Sequence, residues 1–260
     1  MSYVRIGENI MKKTILILLV VIAVTFTAMA TTIEEATAIL TKVDNYSNFN
    51  GESFSSTISL VSEDPEDGID KTVIYQFRDD DNDKFLILIK EPTIKKGQGY
   101  LKIGDNLWFY DPESRKFSHT SMAEQFSSSD ANYSDFTAST LMEDYKITSV
   151  EDGKLGNYDC NVITLEALND EVTYPIEKVW VTKTNDIILK QEDYSKSKKL
   201  IRSSYFLKYK QLGDNLIPTK IIFNDELIEN KKTTIILSDV STNEVPESVF
   251  TKAYIERVNN

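Results

Sequence analysis

The stretch GQGYLKIGDNLWFYDPESRKFSHTSMAEQFSSSDANYSDFTASTLMEDY, residues 97–145, decides how the rest of the chain is read. Gln98–Ile103 and Leu107–Tyr110 have strand character and meet at Gly104-Asp105-Asn106, good hairpin-turn chemistry. A third short strand follows, and then a long polar segment rich in Ser, Asp and Asn. From Thr120 to Asp144 the strand rhythm stops, yet Met122, Phe126, Tyr133, Phe136, Leu141 and Met142 recur at irregular spacing. Twenty-odd residues without strand character inside a domain are either a functional flap or disorder. The scattered large apolar side chains favour a flap with short helices that closes over something.

Outward from this stretch the chain is mostly strand. Ser53–Val61, Thr72–Phe77, Lys84–Lys90, Lys146–Val150, Asp159–Leu165, Lys178–Thr182, Ile187–Asp193, Leu200–Tyr209, Leu216–Phe223 and Thr233–Val240 alternate or run apolar. Turn signals lie between them at Asp67-Gly68, Asp152-Gly153, Thr184-Asn185-Asp186 and Gly213-Asp214-Asn215. One helix precedes the strands. Thr32 is its N-cap, Glu34 and Glu35 occupy its first turn, and Ile33, Ala36, Ile39, Leu40 and Val43 form one apolar face ending near Tyr46. One helix followed by roughly a dozen antiparallel strands predicts a barrel or a strongly curved sheet.

Residues 1–30 read as a removable leader. An extension, residues 1–10, precedes Met11-Lys12-Lys13; Thr14 to Thr27 is almost wholly apolar, and Ala28-Met29-Ala30 fits a small-x-small cleavage rule. The apolar run is short of the ~20 residues of a spanning helix, so export with cleavage near Ala30 is expected rather than a retained anchor. Residues 31–260 are then one domain. Removing Arg5, Lys12, Lys13 and Glu8 from 29 basic and 41 acidic residues leaves 26 and 40, a net of −14. Such a chain is repelled by nucleic acid and by anionic lipid head groups, which leaves transient membrane contact at most. Cys160 is the only cysteine and runs into a strand, so no internal disulfide forms and a buried thiol is expected.

The residues offer no catalytic set. His119, the one histidine, sits in a polar segment, and there is neither a Gly-x-Ser-x-Gly elbow nor a second histidine for zinc. Asp79-Asp80-Asp81-Asn82-Asp83 alternates carboxylates like a calcium loop, but the glycine is missing and Lys90 stands where the bidentate glutamate belongs. A hairpin turn is expected there. No cofactor, metal site or catalytic residue is assigned. What remains is apolar surface: Phe85–Ile89, Leu107–Tyr110, Ile187–Leu189 and Ile235–Leu237 are apolar at consecutive positions, so both faces are expected to be covered. One face either lines a cavity or packs as an ordinary core.

Several stretches resemble the LolA/LolB-like superfamily of outer-membrane lipoprotein-sorting proteins. They are Gly99-Tyr100-Leu101-Lys102, Trp108-Phe109-Tyr110-Asp111-Pro112, the Ser127–Phe136 run, Lys90-Glu91-Pro92 with Lys95-Lys96-Gly97, Tyr158–Leu165, Lys178–Val181 and Pro246–Arg257. Ser128 stands where family members tend to carry glycine. The resemblance implies a mainly β fold with α (α+β): an incomplete antiparallel β-barrel of about 11 strands, closed by an N-terminal helix and short lid helices. It implies a monomeric periplasmic carrier, not an enzyme. Such a carrier shields lipoprotein acyl chains, or related lipid, between an inner-membrane donor complex and an outer-membrane acceptor. The alternative is a lipid-sensing regulator that binds a membrane-anchored partner. On one assumed parity per strand, the cavity lining is expected to be Phe77, Leu86, Leu88, Leu101, Trp108, Tyr110, Trp180, Ile188, Phe206, Phe223 and Ile235. The resemblance also implies a lid-locking arginine, for which Arg78 is the nearest candidate, with Phe126, Tyr133 and Phe136 on the lid.

Overall fold

The computed structural model describes residues 31–260 apart from 50–52, 171, 214 and 260; the leader reading lies outside the described residues. Helix α1 (Ile33–Ser47) begins where the sequence places it. The Thr32 side chain accepts from Glu35 N, and the Glu35 carboxylate accepts from Thr32 N, a capping box that satisfies two otherwise orphaned donors.

The strands are β1 (Phe54–Asp64), β2 (Gly68–Asp79), β3 (Lys84–Glu91), β4 (Gly99–Ile103), β5 (Asn106–Asp111) and β6 (Lys116–Thr120), then β7 (Tyr145–Leu155), β8 (Tyr158–Ala167), β9 (Ile176–Thr182), β10 (Ile188–Tyr194), β11 (Leu200–Leu212), β12 (Asn215–Asp225) and β13 (Lys232–Ser241). They form one thirteen-stranded antiparallel sheet in the order β6-β5-β4-β3-β2-β1-β13-β12-β11-β10-β9-β8-β7. The sheet curves without closing. The count exceeds the expected eleven, and the acidic run at 79–83 is the β2–β3 turn.

This order has a topological consequence. Two meanders, β1–β6 and β7–β13, meet at the centre through β1 and β13. The outermost strands, β6 and β7, are therefore joined by a connection that must travel from one edge of the sheet to the other. That connection is the polar segment 121–140, followed by the short helix α2 (Leu141–Asp144).

The concave face carries two plugs. Ala36, Leu40 and Val43 of α1 pack on Ile163, Leu165, Val179 and Val181 of β8 and β9. Phe126, Ala131, Tyr133 and Phe136 of the crossing segment pack on Ile58, Ile74, Phe85, Ile87, Ile235 and their neighbours. The convex face of β2–β5 is covered as well, by α3 (Lys252–Val258) and the segment before it. Val249, Phe250 and Ile255 cover Leu86, Leu101 and Tyr110 there. Gly99 makes this approach possible, because a Cβ on it would come within 3.2 Å of Ile255 Cγ2 and Leu88 Cδ2. Cys160 is buried, and burial pushes its thiol pKa up.

Strand β3 shows why consecutive apolar residues were needed. Phe85, Ile87 and Ile89 face the concave plug, while Leu86 and Leu88 face the C-terminal cover. Ile236, by contrast, is 46% exposed, so the Ile235–Leu237 run is covered on one face only. Phe250 is 2% exposed at the centre of the convex cover. Phe250→Ala should destabilise the fold by about 3–5 kcal/mol, read as a lower urea midpoint at unchanged slope.

Candidate functional site

Strand register sets out the concave face row by row. Leu165, Glu177, Asp193, Arg202 and Asp225 form one row across β8–β12. Four residues further along β11, Phe206 stands in a row with Ile221, Ile235 and Leu60. The face therefore grades from a charged row to an apolar one.

The charged row holds the crossing segment in place. Arg202 Nε donates to Asp193 Oδ2 at 2.7 Å, and Nη1 and Nη2 donate to Asp135 Oδ2 and Oδ1 at 2.6 and 3.0 Å. Nη1 also donates to the Asp130 carbonyl at 3.1 Å. Asp135 and Asp130 belong to the crossing segment, so this one guanidinium ties it to β10 and β11. Its plane also lies over the Phe223 and Tyr174 rings, 4.4 and 4.8 Å from their centroids. Despite burial, the Asp135 and Asp193 carboxylates hold the Arg202 pKa well above its ordinary value. Asp130 is tied again by Thr233 Oγ1, which donates to its Oδ2 at 2.8 Å. The exit of the segment is fixed by α1: Asp44 accepts from Leu141 N and Met142 N at 3.1 and 2.9 Å, capping α2.

Between the two plugs lies a cavity of about 780 Å³. Val43 and Phe49, Phe54 and Ile58, Phe206, Ile217 and Ile221, and Ile235 and Leu237 give it apolar walls. The turns β2–β3 and β9–β10, the start of β12 and the C-terminal end of α1 supply further lining residues, among them Asp80, Asp83, Asp186 and Leu216. Glu177, Gln191, Arg202, Tyr145 and Tyr174 supply its polar wall.

Glu177 stands out within that wall. It is 6% exposed; its Oε1 lies 2.9 Å from the Tyr145 hydroxyl, and its Oε2 has no hydrogen-bond partner among the described residues. Burial, and then the Asp193 charge, push its pKa well above the usual carboxylate range. Tyr145 also lies 2.9 Å from the Tyr174 carbonyl, and a hydroxyl has one proton for two acceptors. A protonated Glu177 resolves this, donating from Oε1 to the Tyr145 oxygen while Tyr145 donates to Tyr174. Among the described residues no three His, Cys, Asp or Glu side chains converge as a metal site would require.

The expected lining residues divide by strand. Ile188, Phe206 and Ile235 line the cavity, as do Arg78 and Phe136. Phe77, Leu86, Leu88, Leu101, Trp108 and Tyr110 lie instead on the convex face, under the C-terminal cover. The parity assumed for β2–β5 is one residue out. Trp180 is out by one as well: it faces away from Val179 and Val181, with Lys178 and Lys190 beside its ring at 5.6 and 4.7 Å. Phe223 is on the concave face but packed into the plug, as are Phe126 and Tyr133.

Arg78 does not hold the crossing segment. It pairs with Asp80 at 2.6 Å, donates to the Ser47 carbonyl at 2.8 Å, and lies near the Phe49 and Phe54 rings, so it fastens the end of α1. The residue that ties the segment, Arg202, was missed. The readable signal was Glu177, an acid on the same parity as Val179 and Val181.

The model of a family described as an uncharacterized protein matches residues 81–257, and the chain belongs to that family. A comparison with curated proteins finds no match. Among solved structures the chain is similar to a LolA superfamily protein from Nitrosomonas europaea, with 24% identity, TM-score 0.75, and coverage of 87% of this chain and 100% of that one. It is similar to a putative outer membrane lipoprotein-sorting protein domain from Vibrio parahaemolyticus, at 20% identity and TM-score 0.77, over 87% of this chain and 100% of that one. It also resembles a DUF1329 family protein from Desulfovibrio piger, at 16% identity and TM-score 0.76, over 86% and 98% of the two chains. The fold is that of the LolA superfamily, an open antiparallel half-barrel.

Two outcomes test the polar row. Arg202→Ala leaves Asp135 and Asp193 without their buried cation and should cost about 3–5 kcal/mol, measured by chemical denaturation. A carboxyl whose folded-state pKa is raised stabilises the fold below its unfolded value, ~4.3, and that contribution is lost as pH rises through the folded value. Glu177→Gln should therefore raise the melting temperature by several degrees at neutral and higher pH, with the gain shrinking toward pH ~4.

Proposed function

We propose that this protein is an exported carrier that shields the acyl chain of a lipid or lipoprotein in the cavity between its two plugs. The cavity itself carries this reading. Its volume of about 780 Å³ falls within the ~300–1,000 Å³ of small-molecule sites. Its apolar walls come from α1, β1 and β11–β13, elements held apart by independent cores. An acyl chain of about a dozen methylenes gains roughly 10 kcal/mol on leaving water. That covers the cost of immobilising it and still leaves a modest affinity suited to hand-over.

Binding without chemistry is supported by where the reactive groups lie. His119 rests against Trp108, ring centroids 3.5 Å apart, on the face away from the cavity. The carboxylates of Asp135 and Asp193 are engaged by Arg202. The leader read from residues 1–30, with a fold shared with an outer membrane lipoprotein-sorting domain, supports the periplasm as the site of action. A donor complex in the inner membrane and an acceptor in the outer membrane complete the proposal, with the carrier acting as a monomer.

Ile221→Trp places a larger side chain into the cavity while keeping its wall apolar. It should weaken binding of a fluorescent fatty-acyl probe at least about tenfold, ~1.4 kcal/mol, without loss of β-sheet circular dichroism. Trp108→Arg, on the convex face, should leave probe affinity unchanged. Equal affinity of the Ile221→Trp variant and the parent would overturn the cavity reading.

A further inference from the structure

The cavity is not greasy throughout, and its polar wall carries information about the ligand. A buried carboxyl oxygen without a partner is costly, and Glu177 Oε2 is such an atom on a residue that lines the cavity. Oε1 is already taken by Tyr145. Whether the carboxyl is ionised or protonated on Oε1, Oε2 can only accept. What it lacks is a donor.

The surroundings say which donor. Arg202, the cation in the same row, commits four of its five N–H groups to Asp193, Asp135 and the Asp130 carbonyl, so it does not serve as an anion receptor. Asp193 and Asp135 place further negative charge beside Glu177. Elsewhere in the lining, Arg78 pairs with Asp80, Lys84 with Glu247 and Lys102 with Asp83. An anionic head finds no unengaged cation among these lining residues. Four residues along β11 from Arg202 lies the apolar row of Phe206, Ile221 and Ile235.

We propose that the cavity takes a single-chain amphiphile head-first, seating an uncharged hydrogen-bond-donating head against Glu177 Oε2 and laying its chain along Phe206, Ile221 and Ile235. This deepens the carrier reading and rests on it. A hydroxyl, as in a monoacylglycerol, and an amide N–H, as in an N-acylated peptide, share this donor chemistry. A free fatty acid, ionised at neutral pH, lacks it.

The experiment compares lauric acid, monolaurin and N-lauroylglycinamide, three ligands of one chain length, by isothermal titration at neutral pH on the mature domain. At least one neutral ligand should bind about tenfold tighter than laurate, ~1.4 kcal/mol, and which one does so identifies the source of the donor. Glu177→Leu, which removes the acceptor and keeps the wall apolar, should reduce the neutral ligand to the affinity of laurate. Laurate binding as tightly as both neutral ligands overturns the head-group assignment and leaves the carrier reading standing. So does a preference that survives Glu177→Leu. Failure of all three to bind overturns both. The comparison in the parent protein decides the matter even if the variant folds poorly.

Discussion

The four hydrogen bonds of Arg202 to Asp193, Asp135 and Asp130 are the interaction on which the rest of the structure depends. The strand order forces the chain to cross from the β6 edge to the β7 edge. A crossing of this length, polar in sequence, has no strand ladder to satisfy it and would otherwise be a loose loop. Arg202 draws it into the concave face instead. Asp135 caps its own 3-10 turn, accepting from Asn132 N at 2.7 Å, and presents both carboxylate oxygens to the guanidinium. Phe126, Tyr133 and Phe136 then drop into the sheet as a plug, 0–5% exposed. Removing water from the ion pairs is expensive, and the aromatic burial around them offsets that cost.

The same arrangement explains why a cavity exists at all. A curved sheet of thirteen strands has more concave surface than one helix can cover. Helix α1 covers β8 and β9, and the crossing segment covers β1–β5 with β12 and β13. Between them Ile188 of β10, Phe206 of β11 and Ile217 and Ile221 of β12 remain as cavity wall. A third, small cluster of Phe49, Phe54 and Ile217 lines the cavity without filling it. The space persists because its two walls belong to separate cores, each anchored elsewhere. Asp44 and Ser47 of α1, which hold Leu141 N, Met142 N and Ser139 N, couple the two plugs.

Much of this was legible in the sequence, for identifiable reasons. The capped helix, the Gly104-Asp105 turn and the long polar interruption each have a local physical signature, and each appears where it was read. The face assignments were not legible in β2–β5. Phe85–Ile89 is apolar at every position because both faces are covered, and a period of two carries no phase when both phases are apolar. The larger side chains, Trp108 and Tyr110, turned out to serve the C-terminal cover rather than the cavity. In β9 the phase was present but overlooked, since Glu177, Val179 and Val181 share one face and Trp180 sits between two lysines on the other.

Arg202 was beyond the reach of pattern reading for a different reason. Its partners Asp135 and Asp130 are 67 and 72 residues away in sequence. No local period links an arginine in one strand to acids in a distant polar run. Read alone, Asp130 and Asp135 look like solvated flap residues, and Arg202 like a surface cation. Only the edge-to-edge crossing brings them together. The apolar residues of the crossing segment were the part of the signal that could be used: a segment destined for solvent has no reason to carry Phe126, Tyr133 and Phe136. Their burial and the placement of Arg202 are one fact, because the aromatic plug cannot seat without the charges beside it being matched.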